Sequence, residues 1–306
     1  MILHSRHDYI RLPLVYLLIV GVTVLLAYLS SSANSNSIGI IESANKEQKT
    51  FTFKKEVFKD IQVEARAYVV YDIIRGEVIA SKNAHTALPL ASITKVMTAL
   101  SALVHNNKAT AITITDKSID GTYDLGLKNS QVWSLGELLK YTLVFSSNDG
   151  ALAIADALGG RHMFVEQMNK DAQMFGLPLT FTDPAGLDVG LLLGGEGSAL
   201  SVAKMFAITY KRYPDIFDVT TQKRATVTAS TGKLTGVPNT NQLVDTLVEI
   251  EASKTGFTNS AGGNLAVIVD VTLGRPVAIV VLGSTREERF VDVEKLYKAL
   301  KESITP

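Results

Sequence analysis

Charge is absent from Leu12 to Leu29, "LPLVYLLIVGVTVLLAYL", a run about long enough to cross the hydrocarbon core of a bilayer. Arg6 and Arg11 precede it and the next basic residue is Lys46, so the positive-inside bias predicts a cytoplasmic N-terminus with everything later outside. The other reading is a cleaved signal peptide, with the small residues Ser30 to Ala33 at the processing site. Either reading exports the body of the chain. Ser30 to about Thr50 is polar, rich in Ser and Asn and without sustained periodicity, the pattern of a tether. The predicted organisation is a segment 1–29 that anchors or targets, a linker 30–50 and a folded domain 51–306.

Within that domain the pattern changes character twice. "AYVVYDIIRGEVIAS" predicts two strands around Arg75-Gly76. After Pro89, "LASITKVMTALSALV" places apolar residues at helical spacing: Ile93, Val96, Met97, Leu100, Leu103 and Val104. Ser134 and Glu137 form a capping-box pattern for a helix running to about Phe145. Further helices are predicted at 151–158 and 163–175, ending at Gly159-Gly160 and Gly176, and at about 198–212, halted near Pro214. From about Val219 strand signals return in "VEIEASKTGF", "NLAVIVDVTLG" and "RPVAIVVLGS", before "REERFVDVEKLYKALKES" closes the chain as an amphipathic helix. This order predicts an α/β protein of the α+β type: an antiparallel sheet completed by both ends of the chain and flanked by helices, with an all-helical subdomain, about 92–213, inserted between them.

Composition narrows the function without naming it. Thirty basic and thirty acidic residues cancel, so no net field draws the protein to nucleic acid. The absence of cysteine excludes disulfides, thiolate metal sites and a catalytic thiol. The histidines accompany neither a Gly-x-Ser-x-Gly elbow nor a His-Glu-x-x-His pair, which favours surface or capping roles over a serine-histidine or zinc site. No metal or other cofactor is expected.

One helix carries a chemical anomaly. Lys95 is the only formal charge between Thr86 and Asn107, and its face holds Ala91, Ser92, Ala99 and Ala102. A helix apolar or small on every side is usually buried, and burial lowers a lysine pKa toward a value at which the amine can take a proton from a serine three residues away. A lysine snorkelling from a core helix explains the segment equally well. The Ser-x-x-Lys spacing is no evidence by itself, since it also occurs at Ser43/Lys46, Ser201/Lys204 and Ser230/Lys233. The first of these lies in the tether, the second on a helix whose Lys211 and Arg212 end looks surface-facing, and the third in a Gly/Thr-rich turn. What separates Ser92 is order: it alone precedes "SSN" (Ser146 to Asn148) at a helix junction of the folded domain and then "KTG" (Lys254 to Gly256) on a predicted strand.

That ordered triple is shared by penicillin-binding proteins and class A β-lactamases. From about Ala67 to Gly283 the chain resembles the low-molecular-mass penicillin-binding proteins, serine-type D-alanyl-D-alanine carboxypeptidases of peptidase family S11. The segments "YDIIRGEVIASKNAHTALPLASITKVMTAL", "LVFSSNDGALAIA", "FVEQMNKDAQMFGLPLTFTDPAGLD", "NTNQL" and "KTGFTNSAGGNL" carry the resemblance in order. It implies a β-lactamase/transpeptidase-like fold and an exported enzyme that trims the terminal D-alanine of peptidoglycan stem peptides and binds β-lactams as inhibitors. It further implies that Ser92 is the nucleophile, Lys95 its base and Ser146 the proton relay to the leaving amine. Asn148 would hold the peptide, Lys254 and Thr255 of the Lys-Thr-Gly256 motif would bind its terminal carboxylate, and the N–H groups of Ser92 and Phe257 would form the oxyanion hole.

Other outcomes remain open at this level: a DD-endopeptidase of peptidoglycan cross-links, a serine β-lactamase, or a catalytically silent wall-binding protein. Asp183-Pro184 in "TDPAGLD" superficially echoes the water-positioning element of class A β-lactamases. The glutamate is missing and Leu187 is one residue too far, so the stretch reads as a structural turn. Ser147 occupies a position where the family often has glycine or alanine, which leaves the relay geometry at Ser146 for the structure to answer.

Overall fold

Five long strands form the sheet on which the domain is built: β1 (Ala67–Asp72), β2 (Glu77–Lys82), β3 (Ile250–Thr258), β4 (Gly262–Asp270) and β5 (Pro276–Ser284). In the computed structural model, which describes residues 52–119 and 127–305, they are ordered β3-β4-β5-β1-β2 and every neighbouring pair is antiparallel. Strands from the two ends of the domain meet where β5 pairs with β1, as the sequence order predicts. The segments proposed as anchor and tether lie outside the described residues. Among the described residues no helix is long and apolar enough to cross a membrane.

The strands read as nearly unbroken apolar runs because both faces of the sheet are covered. Tyr68, Val70, Leu265, Val267, Val277, Ile279 and Val281 pack with Phe290, Val293, Leu296 and Leu300 of the closing helix. The alternate residues, including Val69, Ala266, Ile268, Ala278 and Val280, face the inserted segment. Alanines on that face let helices approach closely.

The insertion contains α1 (Thr94–His105), α2 (Leu135–Val144), α3 (Asn148–Ala157), α4 (Arg161–Met174) and α5 (Ala199–Arg212); α6 (Glu288–Ser303) closes the domain. Predicted and observed ends agree within a few residues, and Gly159, Gly160 and Gly176 take positive φ where helices stop. The capping box at Ser134 is half formed: Ser134 Oγ accepts from Glu137 N at 3.3 Å. The Glu137 carboxylate instead reaches Thr228 N at 2.7 Å and Lys140 at 3.0 Å. The insertion also carries strands that helical periodicity did not reveal. Ala111–Thr113 and Val132–Ser134 join the hairpin Arg224–Ala229/Gly232–Pro238 in a four-stranded sheet, and Leu88–Pro89, Gly195–Gly197 and Leu179–Phe181 form a three-stranded one. The pieces of two or three residues are too short for period-2 alternation to register; the longer strands of the hairpin lie after the predicted insertion, where strand signals return.

Helix α6 runs back along the sheet, so that Ile304–Thr305 pairs with Thr52–Phe53 and Lys54 N donates to Ser303 O at 2.8 Å. The start of the helix is fixed by a buried carboxylate. Asp292 accepts from Glu64 N at 3.0 Å, Ala65 N at 2.9 Å and Ser284 Oγ at 2.7 Å. Three donors converging on one carboxylate satisfy it without a cation. Replacing Asp292 by Ala orphans buried donors, and equilibrium urea unfolding should show a loss of about 3 kcal/mol.

Candidate active site

The site forms where four pieces of chain that are distant in sequence converge. The first is the 3-10 turn Ala91–Ile93 that leads into α1. Ser92 sits in this turn, ahead of the α-helix on which the sequence pattern had placed it. The i, i+3 relation survives the change, and Lys95 Nζ lies 2.7 Å from Ser92 Oγ. Lys95 is fully buried, as the uncharged helix around it implied. Its amine also donates to Asn148 Oδ1 at 2.7 Å and to Ala185 O at 2.8 Å, two carbonyl acceptors that orient the nitrogen beside the serine hydroxyl.

The other Ser-x-x-Lys copies behave differently. Ser201 is buried at the start of its helix, where its hydroxyl lies 2.8 Å from that of the cap residue Ser198 and Ser198 Oγ accepts from Ser201 N; Lys211 and Arg212 at the other end are exposed, as expected. Lys204 is exposed. Ser230 and Lys233 are both exposed on the hairpin. Ser43 and Lys46 fall outside the described residues.

The second piece is the junction of α2 and α3. Ser147 Oγ accepts from Gly150 N at 2.7 Å and caps α3. On either side of it, Ser146 Oγ accepts from Lys254 Nζ and Asn148 Oδ1 accepts from Lys95 Nζ. Capping and chemistry thus share one tripeptide. Ser146 has φ +64 and Ala91, immediately before Ser92, has φ +50. These are two of only four non-glycine residues with positive φ among the described residues, and such conformations persist where surrounding contacts over-determine them.

The third piece is β3. Lys254, 1% exposed, donates to Ser146 Oγ at 2.7 Å and Thr255 O at 2.8 Å. Thr255 Oγ1 donates to Thr240 Oγ1 at 2.7 Å. Gly256 has to lack a side chain: a Cβ there would stand 2.8 Å from Leu90 O and 3.2 Å from Ser92 N. The glycine brings β3 against the Ser92 turn.

The fourth piece is the stretch "TDPAGLD", which does more than turn the chain. Asp183 Oδ1 accepts from Ala185 N and Leu187 N at 2.8 and 2.9 Å, an Asx-type turn that fixes the local backbone. Its products are two carbonyls aimed at α1: Ala185 O accepts from Lys95 and Pro184 O from Thr98 Oγ1 at 2.5 Å. Gly186, with φ +77, passes so near Ala91 that a Cβ would lie 2.0 Å from its carbonyl oxygen.

Sequence reasoning missed three contributors. Arg289 of α6, 7% exposed, donates to Gly256 O at 2.8 Å. Asn264 of β4 donates to Pro89 O and Leu90 O at 3.0 and 3.1 Å and accepts from Gly283 N at 2.8 Å, clamping the nucleophile turn to the sheet. Thr240 holds the Thr255 hydroxyl. Asn264 and Thr240 lie within the family-like segments "KTGFTNSAGGNL" and "NTNQL", so a signal existed; Arg289, inside a charged "REER" run, had none.

Two cations are thus buried side by side, and their hydrogen bonds go to neutral oxygens of Ser146, Thr255 and Gly256. Burial, reinforced by the charge Lys95 carries when protonated and by that of Arg289, holds the Lys254 pKa well below the ordinary lysine value of 10.5. Burial, reinforced by Arg286 and opposed by Glu287, pushes Arg289 down to about 10. The arrangement combines a hydroxyl beside a sealed amine, a second hydroxyl fed by a lysine, a strand packed closely on the Ser92 turn and a cluster of positive charge. These are the parts that acyl transfer on an anionic substrate requires. Among the described residues no group of three His, Cys, Asp or Glu could hold a metal; His105 bonds Asp171 at 2.9 Å, away from these groups.

Comparison with known proteins agrees with the geometry. A profile of peptidase S11, D-alanyl-D-alanine carboxypeptidase, matches residues 27–286. The D-alanyl-D-alanine carboxypeptidase DacF of Bacillus subtilis is 30% identical over 242 residues, which cover 76% of this chain and 61% of that protein. The chain therefore spans about three fifths of that relative. A D-alanyl-D-alanine endopeptidase of Haemophilus influenzae is 33% identical over 211 residues, 67% of this chain and 70% of that one. Among solved structures, penicillin-binding protein D2 of Listeria monocytogenes in its cefotaxime-bound form superposes with TM-score 0.69 at 27% identity, over 78% of this chain and 98% of that one.

The Lys254 environment predicts a stability cost. A lysine whose folded pKa is depressed makes the unfolded state bind more protons between that depressed value and 10.5, so its contribution to stability improves as pH rises through this window. Lys254→Met should be more stable than the wild type near neutral pH by about 1–3 kcal/mol. Denaturation at stepped pH should show that advantage shrinking toward pH 10.5.

Proposed function

Because the chain belongs to the D-alanyl-D-alanine carboxypeptidase family of serine peptidases, peptidase S11, we propose that it is an exported hydrolase removing terminal D-alanine from peptidoglycan stem peptides through an acyl-enzyme on Ser92. The observation that carries this reading is the contact of 2.7 Å between Lys95 Nζ and Ser92 Oγ, with the amine oriented by Asn148 and Ala185. The apolar run Leu12 to Leu29 supports export, with the domain held at the outer face of the membrane or released if the segment is cleaved.

In this mechanism the Ser92 hydroxyl gives its proton to the neutral Lys95 amine as its oxygen attacks the carbonyl between the two D-alanines. The negative charge developing on that carbonyl oxygen is met by the N–H groups of Ser92 and Phe257, a kind of donor whose loss costs roughly 100- to 1,000-fold in rate. Collapse breaks the C–N bond while the proton that Lys95 took is relayed through the Ser146 hydroxyl, itself held by Lys254, to the departing amine, which leaves Lys95 neutral and Ser146 protonated again. Thr255, Lys254 and Arg289 receive the terminal carboxylate, so the cost of burying two cations is offset when substrate arrives. Asn148 keeps the peptide and the base in register. Water then attacks the acyl-enzyme, and the proton it loses returns through Lys95 to free Ser92.

Relatives named as carboxypeptidases and as endopeptidases are both similar to this chain, and the two activities share every step above. They differ in what leaves: a free D-alanine or a second stem peptide. Labelled penicillin should attach to Ser92 of the wild type and not to a folded Ser92→Ala variant; an unlabelled wild type overturns the mechanism, while rapid release of hydrolysed antibiotic favours β-lactamase chemistry. Digestion of purified cross-linked and uncross-linked muropeptides, followed by mass spectrometry, should deplete the uncross-linked pentapeptide first.

A further inference from the structure

Beyond the Lys95-binding carbonyl at Ala185, the same loop continues into a feature that the mechanism does not use. Val189, Leu191 and Leu192 are 68%, 100% and 65% exposed, three large apolar side chains within four residues. They belong to a built turn: Val189 N donates to Leu192 O at 2.9 Å and Leu192 N to Val189 O at 3.0 Å. The base of the turn is tied on both sides. Thr182 Oγ1 donates to Leu193 O at 2.6 Å, and Thr182 N and Asp183 N both donate to Gly194 O at 3.1 Å. Asp188 Oδ1 accepts from Gly194 N at 3.1 Å and its Oδ2 from Thr258 Oγ1 of β3 at 2.8 Å. A rigid apolar projection of this kind marks a surface meant to be covered.

The direction of β3 says what reaches it. On the reading above, on which this inference rests, the terminal carboxylate lies at Lys254 and Thr255 and the scissile carbonyl at the Phe257 N–H. The strand advances about 3.3 Å per residue, so the part of the peptide upstream of the scissile bond is carried past Thr258. That is the residue tied to Asp188, next to the turn. We propose that Val189, Leu191 and Leu192 form a specificity element for the acyl-donor side of the substrate, packing on an extended aliphatic side chain of the residue that precedes the two D-alanines. A membrane is the poorer occupant, because the first residues of the domain, Thr52–Phe53, pair with Ile304–Thr305 and Phe53 lies under Arg275. Arg275 adjoins the start of β5, at the opposite end of the sheet from Thr258 and its partner Gly262.

Hydrolysis of two peptides ending in D-Ala-D-Ala tests this in the full-length protein, one with alanine and one with Nε-acetyl-lysine before the pair. The wild type should favour the long side chain, and Leu191→Ser/Leu192→Ser should lower the ratio of kcat/KM values by about tenfold, the worth of a few buried methylenes. Should the double variant misfold, Leu191→Ser alone, at a fully exposed side chain, reads the same ratio. An unchanged ratio with both peptides cleaved overturns the inference and leaves the proposed function standing. Cleavage of neither by the wild type overturns both. Loss of vesicle pelleting or of self-association without a change in ratio assigns the turn to a membrane or a second copy, and also overturns it.

Discussion

A primary amine sealed from solvent is tolerable only where its hydrogen-bonding directions are met, and meeting those of Lys95 organises the domain. Its partners come from the nucleophile turn, the α2–α3 junction and the Ala185 loop. Each has been made to converge by a local device: the cap at Ser147, the Asx turn at Asp183, the bare Gly256 that admits β3. Removing any one device disturbs the others, because all of them bear on the same nitrogen or on the turn that precedes it. Burial on both faces of the sheet supplies the rigidity against which these short contacts hold.

The neighbouring cations share that chemistry and add to it. Lys254 and Arg289, like Lys95, hydrogen-bond neutral oxygens, but the charges of Arg289 and of protonated Lys95 also raise the electrostatic cost of the buried Lys254 charge. Nothing in the packing of the core asks for them. On the proposed function, their charge is met when the substrate carboxylate arrives. The positive φ at Ala91 and Ser146 belongs to the same economy, since both residues adjoin groups that must face the cleft.

How far the chain could be read without its structure depended on where information is stored. The sheet, the helices and their stops were legible because apolar periodicity and glycine encode them directly, and Ser92, Lys95, Ser146, Asn148 and Lys254 were singled out by the resemblance of their ordered motifs to a known family; the structure brings these five together. The Ala185 and Pro184 carbonyls were not, because a backbone oxygen carries no residue signature. Arg289 was hidden by neighbours of similar charge, and its role exists only because α6 begins where β5 delivers it. Strands of two or three residues left no pattern to find. The contact of Ser147 Oγ with Gly150 N gives this hydroxyl a place at the start of α3 that the motif alone could not show.

The closing pair of short strands carries a mechanical meaning. Thr52–Phe53 is held by Ile304–Thr305, by Lys54 N on Ser303 O and by Arg275 over the Phe53 ring. A pull arriving through the chain ahead of Thr52 is therefore handed to α6 and the far end of the sheet. It need not pass through β3 or the nucleophile turn. Tension on a leash would peel a two-residue zipper at the back of the domain before it widened the cleft at the front.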